Sequence, residues 1–147
     1  MNVACTVNGE RVVLDVGTDE MLVDVLRRDL GLLSVRATCG IGVCGSCTAL
    51  VDGVSVSTCL YLAPLVDGRE VTTVEGLGGD HPMERAFREA HAFQCGYCTP
   101  GMILAAASLL EENPRPTDEE IAVGLAGNLC RCGCYVKIAD AVRRAAA

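Results

Sequence analysis

Tryptophan is absent, and two phenylalanines and three tyrosines are all the aromatic residues the chain has. A core built on so few must pack valine, leucine and alanine, or rely on metal sites as staples. Cationic residues are outnumbered: 12 Lys and Arg against 19 Asp and Glu leave a formal charge of −7. That balance excludes a basic patch able to neutralise phosphates, and with it a nucleic-acid partner. No apolar run approaches the length of a bilayer-spanning helix, so no membrane span is expected. Histidine is limited to His81 and His91, both read as surface residues rather than acid–base catalysts. Neither a strand–glycine loop–helix unit for a dinucleotide nor a substrate-pocket signature is present. The opening Met1-Asn2-Val3-Ala4-Cys5 lacks the basic segment and apolar stretch of a secretory leader. A cytoplasmic setting is expected, where thiols stay reduced and clustered cysteines hold metal more often than they form disulfides.

What the chain has in abundance is cysteine, ten in 147 residues. Eight of them form two quartets. Cys39, Cys44, Cys47 and Cys59 read C-x4-C-x2-C with a distant fourth member, the plant-type ligand spacing for a [2Fe–2S] cluster. A structural zinc site more usually shows two short knuckles, which this spacing does not. Gly40, Gly42 and Gly45 are interleaved with the ligands; glycine lets a backbone wrap closely around an anionic centre and turn its N–H groups toward sulfur. The second quartet pairs Cys95 and Cys98 with the remote Cys130 and Cys132. Its spacing alone fits either zinc or an iron–sulfur cluster. Cys98 precedes the helix opening Thr99-Pro100 and Cys132 precedes the last helix, so both sit near positive helix ends that favour an anionic site.

The order of elements predicts an α+β chain. Val3, Cys5 and Val7 alternate toward one face, Asn8-Gly9 turns the chain, and Arg11 to Val16 return. Thr18 is a candidate N-cap for a helix with Leu22, Val25, Leu26 and Leu30 on its apolar face. A second hairpin surrounds Asp52-Gly53, and Val71 to Val74 make a last strand. Glu75 to Gly79 reads as a linker. Four helices are expected after it. The first spans Pro82 to Phe93, with Ala86, Phe87, Ala90 and Phe93 on one face. The second is N-capped at Thr99 and ended by Asn113-Pro114. The third opens on a Thr117/Glu120 capping box and stops at Gly127, and the fourth runs from Tyr135 to Ala146.

The strings CGIGVCGSC at Cys39–Cys47, STCL around Cys59, QCGYCTPGM at Gln94–Met102 and NLCRC at Asn128–Cys132 resemble the small iron–sulfur subunit of the xanthine oxidase family of molybdenum hydroxylases. The resemblance covers nearly the whole chain. It implies an N-terminal ferredoxin-like β-grasp domain (residues 1–76) and a C-terminal four-helix domain (residues 77–147), each carrying a [2Fe–2S] cluster. It implies further that Cys95, Cys98, Cys130 and Cys132 hold the cluster nearer molybdenum, and Cys39, Cys44, Cys47 and Cys59 the one toward FAD. Electrons from a molybdenum–pterin cofactor in a large subunit would pass through both to FAD in a medium subunit, within a heterotrimer that dimerises. Substrate chemistry would belong to the large subunit. Gln94 matches the family glutamine that hydrogen-bonds the pterin; judged without the family it reads as a solvated helix-end residue.

The chain departs from the family string CRCTGY, reading Cys130-Arg131-Cys132-Gly133-Cys134-Tyr135. Cys134 is thus a small buried hydrophobe, a spare thiol or a competitor for the fourth ligand position, and Cys132 is taken as the ligand. Cys5, on the inward face of the first strand, reads as a core residue.

Overall fold

Two Asx–Gly pairs set the register of the sheet. Asn8 (φ 51°) and Gly9 (φ 82°) both lie in the left-handed region, as do Asp52 (φ 51°) and Gly53 (φ 81°). Two successive residues of that kind close a hairpin whose twist matches its strands. In the computed structural model, which describes residues 1–146, the first pair joins β1 (Asn2–Val7) to β2 (Glu10–Asp15). The second joins β3 (Thr48–Val51) to β4 (Val54–Ser57). A short β5 (Glu70–Thr72) enters between the hairpins, parallel to β1 and antiparallel to β3, giving the order β2-β1-β5-β3-β4.

Between the hairpins runs α1 (Leu22–Arg28), which lays Leu22, Val25 and Leu26 into a core shared with Val3, Cys5, Val7 and Val71. The strand period of two puts Val3, Cys5 and Val7 on that inner face, as expected. The start of α1 differs from the sequence expectation. Its N-cap is Met21, without a side-chain cap, and Thr18 lies outside the helix. Glu20 accepts the Gly17 N–H at 2.9 Å and pairs with Arg28, so a side-chain turn ahead of the helix displaces the simple cap. Leu30 packs on the core from beyond the helix end.

The last strand also ends earlier than expected, because Val74–Leu77 tighten into a 3-10 turn. Asn8 anchors the chain there: its Oδ1 accepts the Thr73 N–H at 2.8 Å, and its Nδ2 donates to Thr73 Oγ1 at 2.9 Å.

Four helices follow: α2 (Pro82–Glu89), α3 (Thr99–Glu112), α4 (Asp118–Gly124) and α5 (Tyr135–Ala145). Their core gathers Met83, Phe87, Met102, Ile121, Ile138 and Val142. Capping boxes at His81/Glu84 and Thr117/Glu120 open α2 and α4, so His81 is a cap rather than a loose surface residue. Helix α2 stops at Glu89 and leaves Phe93 outside it, largely exposed, while α4 ends at Gly124, ahead of Gly127. Residues Gly101 to Ser108 of α3 are all buried. Apolar on every side, this helix packs on α2 and α4 and also against β3 and β4. Ser108 Oγ donates to the Gly53 carbonyl at 2.9 Å, tying it to the second hairpin. None of the described helices is long and apolar enough to cross a membrane.

Candidate iron–sulfur sites

The loop from Cys39 to Cys47 is shaped by Gly40, Gly42 and Gly45, all at positive φ (68°, 72° and 70°). These turns aim backbone N–H groups at sulfur. The N–H groups of Ile41, Cys44 and Val43, joined by the Cys44 thiol, lower the Cys39 thiol to about 6. Cys47 and Cys59 are buried, and burial pushes the Cys59 thiol up to about 11 although the Gly42 N–H points at it. The four thiols fall into two hydrogen-bonded pairs, Cys39 with Cys44 and Cys47 with Cys59.

The second quartet repeats the arrangement with different elements. Cys98 is the N-cap of α3, which puts Thr99 and Pro100 at the first two helical positions rather than at the cap. Cys95 pairs with Cys132 and Cys98 with Cys130. The Tyr97 N–H lies 3.5 Å from Cys95 Sγ, and together with the Cys132 thiol it lowers the Cys95 thiol. Burial pushes Cys98 up to about 12. Cys130 also bears a burial penalty, but the Cys134 N–H at 3.4 Å, the Cys98 thiol and the Cys132 N–H bring it below the ordinary value. Cys134 is the buried N-cap of α5, beside Cys130 and not Cys95. Cys5 lies in the β-sheet core.

Both donor sets fit a [2Fe–2S] group. Each offers two thiol pairs, as two irons with two thiolates apiece require, and surrounds them with N–H donors that stabilise anionic sulfur. Among the described residues no three His, Cys, Asp or Glu side chains close on a single point as one metal ion would need. The Thr99 hydroxyl, next to Cys98, is buried without a partner among the described residues.

Four residues to which the sequence patterns gave no role, Asn128, Arg36, Thr38 and Tyr97, hold the two loops together. Asn128, 6 % exposed, donates from Nδ2 to the Gly45 carbonyl (3.0 Å) and to Thr48 Oγ1 (3.1 Å). Arg36 donates to the carbonyls of Gly96 and Tyr97, and its guanidinium lies 4.6 Å from the Tyr97 ring centroid. Thr38 Oγ1 and Tyr97 Oη are 3.0 Å apart. Asn128 stands inside the NLCRC string, which marked it; nothing in the sequence pointed from Arg36 to Tyr97, 61 residues away. A cavity of about 440 Å³ opens between the quartets, lined in part by Cys44, Ser46, Cys95, Leu129 and Tyr135. Gln94, next to Cys95 in sequence, is exposed, its Nε2 donating to the Cys132 carbonyl at 3.3 Å.

Comparison with known proteins agrees with this geometry. Residues 5–76 match the 2Fe-2S iron-sulfur cluster binding domain family, and residues 73–143 match the [2Fe-2S] binding domain family. The chain is 49 % identical over 141 residues to the nicotinate dehydrogenase small FeS subunit of Eubacterium barkeri, covering 94 % of this chain and 90 % of that one. It is 43 % identical over 148 residues to the xanthine dehydrogenase iron-sulfur-binding subunit of Escherichia coli O157:H7, covering 97 % and 92 %. Its fold superposes on a chain of quinoline 2-oxidoreductase from Pseudomonas putida 86 with a TM-score of 0.93 at 42 % identity, covering 99 % of this chain and 93 % of that one. With two [2Fe–2S]-binding domains in an α+β frame, the chain belongs to the small iron–sulfur subunits of the xanthine oxidase family of molybdenum hydroxylases.

Proposed function

We propose that the chain is the electron-transfer subunit of a hydroxylase or dehydrogenase complex, relaying electrons from a molybdenum–pterin site in a large subunit to FAD in a medium subunit. When bound, two [2Fe–2S] clusters supply the one-electron steps that connect a two-electron substrate oxidation to the flavin. Cys39, Cys44, Cys47 and Cys59 hold the cluster toward FAD. Cys95, Cys98, Cys130 and Cys132 hold the one toward molybdenum. The pairing of Cys132 with Cys95 supports it over Cys134 as the fourth ligand.

The observation that carries the relay is a backbone contact. The Leu129 N–H donates to the Cys44 carbonyl at 2.9 Å, so one hydrogen bond joins a ligand of the first quartet to the residue preceding Cys130. Domains at 1–76 and 77–147 accord with the two separate apolar cores, which this contact bridges. Gln94, exposed and held by the Cys132 carbonyl, has its amide oxygen left to face a pterin. Ile41, Val43 and Leu60 are exposed beside the first ligand set, and Phe93, Tyr97 and Leu129 beside the second. Apolar side chains displayed next to both sets favour partners at both, as in a heterotrimer that dimerises, over a free-standing carrier. A cytoplasmic location follows from the need to keep ten thiols reduced.

Metal analysis and low-temperature EPR of the dithionite-reduced protein, purified anaerobically with its partners, test this reading. The expected result is two distinct [2Fe–2S] signals, about four irons per chain, and co-purification of a large and a medium subunit. One signal accompanied by zinc would overturn the relay, and a monomer with both signals would make the chain a free carrier.

A further inference from the structure

The second quartet has a fifth sulfur beside it. Cys134 is 4 % exposed, and both of its polar groups are directed at the site. Its backbone N–H lies 3.4 Å from Cys130 Sγ, and its thiol is in hydrogen-bonding contact with the same sulfur. On its other side the Cys134 sulfur receives the amide of Gln94, whose Nε2 also donates to the Cys132 carbonyl at 3.3 Å. The residue therefore stands between the exposed Gln94 and a ligand sulfur, in contact with each and pairing with neither Cys95 nor Cys98.

We propose that Cys134 is a positioning residue: a hydrogen-bond bridge from Gln94 to the Cys130 sulfur that raises the reduction potential of the second centre. The inference rests on the ligand assignment proposed above. Reduction adds one negative charge to a cluster that is already anionic, so each donor aimed at a ligand sulfur stabilises the reduced state more than the oxidised one. Any residue but proline at this position supplies the backbone N–H. Only one with a polar hydrogen on Cβ's substituent supplies the second donor, and at this buried helix cap cysteine does so with little bulk. Gln94 orients that thiol by donating to its sulfur, which leaves the S–H free to face Cys130.

Potentiometric titration of the two EPR signals in the full chain, purified with its partners, tests the bridge. Cys134→Ala keeps the N–H and deletes the S–H. It is expected to lower the reduction equilibrium constant of the second centre about tenfold, about 59 mV for a one-electron couple, and to leave the first centre unchanged. Cys134→Ser, which retains a donor, should fall between that variant and wild type. Gln94→Ala should shift the same centre in the same direction, and the double variant should add nothing to Cys134→Ala alone. Both signals present at unchanged potentials in Cys134→Ala would overturn the proposal. Loss of the second signal in both Cys134→Ala and Cys134→Ser would also overturn it, making Cys134 a ligand. A wild-type complex without a second [2Fe–2S] signal would instead sink the ligand assignment and the bridge with it.

Discussion

The side chain of Asn128 reaches across the molecule to the Gly45 carbonyl at 3.0 Å, fastening the segment before Cys130 to the turn between Cys44 and Cys47. The same Nδ2 meets Thr48 Oγ1, which itself donates to the Gly45 carbonyl at 2.7 Å. Buried amides in such positions are held because every partner is satisfied. The two ligand loops are thereby kept in register by side chains as well as by the Leu129–Cys44 backbone contact.

Asn128→Ala removes both bonds and leaves Thr48 short of a donor. The expected loss is about 1–3 kcal/mol of stability, read as a lower denaturant midpoint with an unchanged slope. Wild-type stability in this variant would show that the loops are held by the backbone alone.

Gly45 has no room for a side chain. A Cβ there would lie 2.4 Å from the Gly127 carbonyl oxygen and 2.5 Å from Asn128 Nδ2, at a φ of +70°. Gly45→Ala should lose about 1–3 kcal/mol from the backbone conformation alone, and more from the clash. Gly31 shares the positive φ, at +65°, but a methyl group there would meet nothing within 4 Å, so Gly31→Ala isolates the conformational part. Equal midpoints for the two variants would refute close packing at Gly45.

Cys98→Ser and Cys132→Ser each remove a proposed ligand of the second centre. Both should abolish one EPR signal and retain the other, because the first quartet belongs to a separate core. A second signal surviving in Cys132→Ser with altered shape would show Cys134 taking the fourth position.

Glu75 links the segment between the two cores to the first. Burial pushes its carboxyl upward, but the Ser34 and Thr73 hydroxyls and the Ser34 N–H together outweigh burial and hold it below the usual glutamate range. A carboxylate depressed in the folded state contributes stability that is fully present above its unfolded value, about 4.3, and is lost as pH falls through the folded one. Glu75→Gln should therefore be less stable than wild type by a margin that stays constant from neutral pH to about 5. A margin that instead widens as pH falls through that interval would mean that burial dominates and the carboxyl is raised.

Much of this architecture was legible in the chain because its signals are local. Alternation and two Asx–Gly turns define the hairpins, the Thr117/Glu120 box opens a helix, and Cys spacing marks both quartets. Element ends were less legible where a competing local contact won. Glu20 turned back onto Gly17 ahead of α1, and Val74 left the sheet for a 3-10 turn.

By itself the sequence determined which sulfurs group together and the chemistry they suit, since ligand type and spacing are properties of the chain. Only the tertiary structure decided that Cys132 rather than Cys134 faces Cys95, that Asn128 and Arg36 clamp the loops, and that Leu129 touches Cys44. The Asn128, Arg36 and Leu129 contacts join residues 36 to 48 with residues 96 to 129, and no local periodicity encodes them. They arise because the buried helix α3 packs on both the helical core and the sheet, which brings two distant loops against each other.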